Sequence, residues 1–345
     1  MAKISPKDNF LKIAYGGMPE YIPYFTMMGE PYLGEAATKM MNPNIFNETH
    51  FVDGGKDMWG VTYRAAEGTN NATMPDTSII LLHDIEDWEK VVKFPEVPDI
   101  DFEMQYQKDL QFFQVDREQS AVMSGPGLMP FQTLVGLMGF AGGLMALYED
   151  PDSVSDMLNA MVDFLEPLYT KYIDIYKPDI WYMLDDTCAK TAPFFSVETY
   201  RQVFKPVYDR MAKPARERGI PIMFHNCGYV EPFIQDMVDF GVSILEPMQN
   251  SNDLMKVKEQ YKGKLGLIGG ADWALVMPKN YPEYDEEELR QKVRDIIDLN
   301  APGGGYGIYI WPLSYFGDPV IKEVNRILRD ECHWYGRKVY GYKED

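Results

Sequence analysis

His225 and Cys227 stand two residues apart in MFHNCGYVEPF (223–233), within a chain that has only four histidines and three cysteines. While the backbone is extended, residues i and i+2 share a face, so both side chains can reach one ion. Neutral imidazole and thiolate are favoured zinc ligands, and a catalytic zinc takes one further protein ligand and leaves a position open. Glu246 is the natural third ligand and Cys188 its competitor. The alternative is that Cys227 is a small buried hydrophobe and His225 a hydrogen-bonded base or orienter. Asp185 and Asp186 are consecutive, and in a strand such side chains point to opposite faces. One acid can then serve a site while the other caps a helix or pairs with a base. His50, His83 and His333 show no partner spacing, and His333 sits beside Cys332 in a helix-like tail, where adjacent side chains diverge.

Residues so far apart in sequence need a scaffold that brings them together. Short apolar runs bounded by turn residues, the pattern of buried parallel strands, occur at SAVMSG (120–125), DIWYML (179–184), IPIMF (220–224), VSIL (242–245), LGLI (265–268) and YGIYIW (306–311). YIPYFTMM (21–28) and SIILL (78–82) are weaker candidates. Helical patterns lie between them. One begins at Ser196, a candidate N-cap, continues through Tyr200, Phe204 and Val207, should kink or split at Pro206, and stops at Gly219. Others run from Asp152 to Tyr176 and from Tyr284 to Leu299. Strands alternating with helices imply βαβ units. The expected fold is α/β, a (β/α)8 TIM-like barrel with an N-terminal extension. A doubly wound open sheet is the runner-up, but no GxGxxG follows a strand. One domain would span 1–345, with irregular additions over about 1–115 and regular β/α units over 116–345.

In such a barrel, catalytic groups sit at the C-terminal ends of the strands. Asp185, Asp186, Cys188, His225, Cys227, Glu246 and Asp272 should then converge on one mouth, together with Trp311 and Tyr315. Met123 and Tyr182, on the strands themselves, join Asp272, Trp311 and Tyr315 as candidate substrate contacts. The GGG at 303–305 precedes a strand rather than a helix and reads as a turn, not a phosphate loop.

A net charge of −20 makes the chain a polyanion that phosphate backbones would repel, which argues against a nucleic-acid partner. The N-terminus lacks the apolar core of a signal peptide, and no uninterrupted run of about 18 apolar residues occurs, so no membrane association and a cytoplasmic location are expected. An odd number of cysteines argues for free thiols in a reducing compartment. The 22 methionines and the 14% aromatic content suit either an adaptable core or a pocket lined with soft, flat side chains.

On GGMPEYIPYF, KDMWGVTYR, SGPGLMPFQTLVGLMGF, WYMLDDTCAK, HNCG (225–228) and LGLIGGADW, the chain resembles the uroporphyrinogen decarboxylase superfamily, above all its cobalamin-dependent methyltransferase branch. HNCG is similar to the zinc motif of that branch. Two departures narrow what the resemblance implies. No arginine precedes Arg64, where the decarboxylases use N-terminal arginines to hold a porphyrinogen. Trp311 and Pro312 stand where thiol-methylating members carry a later zinc cysteine. The resemblance then implies transfer of a methyl group from a small methylated donor to the cob(I)alamin of a partner corrinoid protein, as in anaerobic O-demethylation, and it allows a homodimer. The aromatic and methionine content favours a methoxylated aromatic donor over a methylamine or betaine; a decarboxylase-like lyase acting on a carboxylated substrate is the alternative. For an ether, the poor leaving group needs help, either from zinc on His225, Cys227 and Glu246 as a Lewis acid or from Asp185 or Asp186 as a buried proton donor.

Overall fold

The computed structural model describes residues 4–26, 37–48, 50, 54–65, 73–310 and 318–342. Seven parallel strands form one curled sheet in the order β1 (Thr38–Met40), β5 (Ala121–Ser124), β6 (Ile180–Leu184), β7 (Ile222–His225), β8 (Val242–Met248), β9 (Gly266–Ala271) and β10 (Tyr306–Ile310). Between β10 and β1 the chain at Pro23–Phe25 supplies an irregular eighth stave. Phe25 N donates to Ile308 O and Ile308 N to Pro23 O, both at 2.9 Å, and Thr38 Oγ1 reaches Thr26 O. The result is a TIM-like (β/α)8 barrel. Its N-terminal extension includes a small antiparallel sheet of β2 (Gly55–Lys56), β3 (Thr62–Ala65) and β4 (Thr73–Pro75).

The strand alternation divides the core in two. Met123, Tyr182, Met223, Ile244, Ile268 and Tyr309 point into the barrel, where they pack with Phe10 and Phe25. Trp181, Met183, Phe224 and Leu245 point outward under the helices. Local chemistry sets the helix boundaries. Asp150 accepts from Ser153 N and Pro151 begins the helix Pro151–Tyr176, which ends on Lys177 in the left-handed region at φ 44°. Ser196 caps the next helical stretch, and Pro206 is accommodated by a π-helical turn, Tyr200–Phe204, before the helix Lys205–Glu217. All three glycines at 303–305 have positive φ and turn the chain into β10.

Two expectations need correction. SIILL (78–82) is not a strand: Leu81 N and Leu82 N both donate to Leu137 O, so this apolar run covers the helix Pro130–Glu149 instead of joining the sheet. The first sheet strand is Thr38–Met40, a three-residue segment with no apolar run to betray it. Of YIPYFTMM, the part up to Thr26 forms the irregular stave and positions 27 and 28 lie outside the described residues. The helix Pro130–Glu149 is long and apolar enough to pass as a membrane span by composition, but 56% of that window is buried within the fold, the setting of a core helix.

Candidate metal centre

His225 ends β7 and, like Met223 two residues earlier, points into the barrel. In the next strand Glu246 is its register partner, and Leu184 of β6 is its partner on the other side. That register brings His225 Nδ1 within 2.6 Å of Glu246 Oε1, which also accepts from the Tyr182 hydroxyl at 2.5 Å. All three side chains are buried, Glu246 completely. A carboxylate only accepts, so the His225 proton resides on Nδ1 and Nε2 is turned towards the mouth as a ligand atom. Burial alone would depress the imidazole pKa. The Glu246 charge, with the hydrogen bonds to Cys227 and Glu246, overrides burial and holds it well above its ordinary value, so a metal would take the place of the proton on Nε2.

Past β7 the chain keeps Cys227 on the same side as His225, with Sγ 3.5 Å from Nε2. Asp186 approaches from the loop after β6: its Oδ1 is 3.6 Å from Nε2 and accepts from Cys227 N at 2.9 Å. Among the described residues these three form a group whose ligand atoms all lie within 4.8 Å of one another. Tetrahedral zinc with ordinary bond lengths has ligand–ligand edges of about 3.6 Å for S to N and about 3.4 Å for N to O. The observed 3.5 and 3.6 Å match, so a metal such as zinc fits this donor set. Burial raises the Cys227 pKa while His225 pulls it back, and a cation would complete that shift towards thiolate.

Gly228 makes the arrangement possible. Its φ is +91°, and a Cβ there would come within 2.6 Å of the carbonyl oxygens of Cys188 and Ala189. Its N–H donates to Gln249 Oε1 at 2.6 Å, and Asn226 ties the loop to Thr187 through both ends of its amide. Asn226, Gln249 and Tyr309 were not among the candidates from sequence. The inward alternation of β10 was the available signal for Tyr309, whereas nothing in the sequence announced the loop contacts.

The remaining candidates fall into four groups. Asp185 points away from the mouth, where its carboxylate accepts from Phe131 N, Gln132 N and Tyr208 Oη at 2.7, 3.1 and 2.7 Å and so caps the helix Pro130–Glu149. Burial pushes it up to about 7 against those hydrogen bonds. Cys188 is also turned aside: its thiol contacts Thr187 Oγ1 at 3.6 Å, and burial pushes it up to about 12. Asp272 follows β9 and lines a cavity of about 210 Å³ with Cys227, Met248, Gln249 and Tyr309. Met123 and Tyr182 belong to the inner barrel layer. Trp311 and Tyr315 lie outside the described residues.

Comparison with known proteins is consistent with this architecture. A solved structure described as a methyltransferase from Methanosarcina mazei matches with a TM-score of 0.64 and 12% identity, over 96% of this chain and 99% of the other. A B12-independent methionine synthase from Shewanella sp. W3-18-1 matches at a TM-score of 0.44 and 13% identity, over 89% of this chain and 82% of its own, a likeness too slight to carry weight. No curated protein matches. The first likeness speaks to the fold. The profile described as Uroporphyrinogen decarboxylase (URO-D) matches residues 61–310, well over half of the sequence, and the chain therefore belongs to the uroporphyrinogen decarboxylase family.

Proposed function

We propose that the chain is a corrinoid-dependent methyltransferase that takes a methyl group from a methoxylated aromatic and delivers it to the cob(I)alamin of a partner corrinoid protein. The observation that carries this reading is the convergence of Asp186, His225 and Cys227 at the mouth, with His225 anchored by Glu246. In this reading Asp186, His225 and Cys227 hold zinc, and Glu246 orients the ring from behind. Bound there, zinc would supply Lewis acidity to the ether oxygen as the methyl group leaves.

The chain's own residues set up that transfer. Glu246 keeps the His225 proton on Nδ1, and Tyr182 keeps Glu246 in place by donating to the same oxygen. Asp186 spans the two loops by accepting from Cys227 N, so the ligand loop and the acid move together. Asp185, spent on a helix N-terminus and Tyr208, is a structural cap rather than the proton donor. The partner's cob(I)alamin would supply the nucleophile for the methyl group; the electron pair of the C–O bond would go to the ether oxygen, and the phenoxide released would take a proton from water. Among the described residues lining the cavity beside Cys227 there is no arginine, which disfavours a decarboxylase-like reaction on a polycarboxylate. The three free cysteines accord with a reducing, cytoplasmic setting.

The test is a paired measurement on His225→Ala. Metal content and methyl transfer should be lost together; a metal-free variant that still transfers the methyl group would sink the metal's role.

A further inference from the structure

We propose that the methyl donor is a methoxylated phenol whose free hydroxyl donates a hydrogen bond to Asp272, and that donors bearing a carboxylate at that end are rejected. This rests on the methyltransferase reading above. Asp272 and Cys227 line the same cavity, so a donor seated there with its reacting oxygen beside Cys227 has Asp272 as the charged group available to its other substituent. Tyr309, Met248 and Pro247 of the same lining offer the flat, apolar surface an aromatic ring requires.

Asp272 has acceptor capacity to offer. Each of its carboxylate oxygens takes the Asn250 N–H at 3.2 Å, a long shared contact, whereas a carboxylate can accept about four hydrogen bonds. Burial raises its pKa, and the Asn250 hydrogen bond and Lys190 pull it back. It is therefore a half-buried acceptor that a donor group on the substrate would complete. The surroundings are hostile to a second carboxylate. Asp272 is the only Asp, Glu, Lys or Arg lining the described cavity, and Asp186 lies just beyond Cys227. Lys190 is exposed and already felt by Asp272.

An ammonium donor would also satisfy Asp272. It would leave as a neutral amine, however, and would have no need of an electrophile beside Cys227. The combination of a metal-ligating triad at one end and an unsaturated acceptor at the other suits an ether with a separate hydroxyl.

The experiment offers the full-length, zinc-loaded chain four donors: 4-methoxyphenol, methoxybenzene, 4-methoxybenzoate and trimethylamine. Binding is read by calorimetry without corrinoid, and transfer by methylation of cob(I)alamin on a corrinoid protein. Methoxybenzene and the benzoate should each fall about 10- to 10²-fold below the phenol in kcat/KM, the usual cost of leaving a partly buried hydrogen-bonding group unpaired. In Asp272→Asn, which keeps one acceptor but no charge, the benzoate should recover relative to the phenol while the fold and zinc content stay unchanged. A benzoate or trimethylamine that equals the phenol in the wild type, or a phenol-to-benzoate ratio unmoved in Asp272→Asn, would overturn the proposal. If no donor is demethylated yet the phenol still binds in an Asp272-dependent way, the subsite stands and the methyltransferase reading falls. Absence of both binding and transfer overturns the two together.

Discussion

Replacing Glu246 separates its two conceivable roles, metal ligand or orienter of His225. Oε1 accepts from His225 Nδ1 at 2.6 Å and from Tyr182 Oη at 2.5 Å, and Oε2 is buried with no hydrogen-bond partner among the described residues. Glu246→Gln keeps an acceptor oxygen but removes the charge. Hydrogen bonds to charged groups contribute about 1.5–3 kcal/mol and neutral ones about 0.5–1.5 kcal/mol, so each bond weakens by about 1 kcal/mol. Two weakened bonds cost about 2 kcal/mol of stability. Loss of ring basicity and orientation should lower zinc affinity about 10- to 100-fold, the usual effect of removing such a partner. Glu246→Ala instead strands two buried donors at about 1–3 kcal/mol each and should destabilise the fold by about 2–6 kcal/mol. The assay is zinc competition against a chromophoric chelator, paired with urea denaturation. Wild-type zinc affinity in Glu246→Gln would refute the orienting role. Complete loss of zinc, equal to that in His225→Ala, would make Glu246 a ligand.

Other perturbations address neighbouring groups. The Asp185 carboxyl is pushed up to about 7 by burial, whereas in the unfolded chain it titrates near about 3.9. Its stabilising contribution is thus fullest below about pH 4 and declines, at about 1.4 kcal/mol per pH unit, up to about pH 7. The stability deficit of Asp185→Asn should therefore shrink by about 2 kcal/mol between about pH 5 and pH 7 in urea titrations; a constant deficit would show that the carboxyl keeps its ordinary value. Cys227→Ser should lose tight zinc binding, while Cys188→Ser, whose thiol meets only Thr187 Oγ1 among its described hydrogen-bond partners, should keep it at a stability cost of about 1 kcal/mol. Zinc loss in both variants would implicate Cys188 as a ligand. Gly228→Ala forces a Cβ to within 2.6 Å of two carbonyl oxygens at positive φ, so both thermal stability and zinc affinity should drop, the former by more than about 1 kcal/mol. An unchanged zinc affinity would mean that the loop does not shape the site.

Much of the barrel was legible because buried parallel strands advertise themselves as short apolar runs between turn residues, as Ile180–Leu184 and Tyr306–Ile310 do. Period-two alternation also separated Asp185 from Asp186, and in the fold one faces a helix N-terminus and the other the mouth. Two features escaped for physical reasons. Thr38–Met40 is too short to show a pattern, and the apolar residues of 78–82 are there to cover a helix, a need indistinguishable in sequence from that of a strand. The division of labour between Glu246 and Asp186 was hidden for a different reason. An imidazole has two nitrogens, and which acid meets which depends on the register of β6, β7 and β8, a long-range property with no local signature.

The most direct test of methyl transfer is the anaerobic absorbance of cob(I)alamin after mixing the zinc-loaded protein, an authentic partner corrinoid protein and a panel of methoxylated aromatics, methylamines and betaines. We expect cob(I)alamin to be consumed and methylcobalamin to form with a methoxylated aromatic, and neither change in protein stripped of metal. Unchanged cob(I)alamin with every donor, in protein whose zinc content is confirmed, would contradict the assignment of Asp186, His225 and Cys227 to methyl transfer.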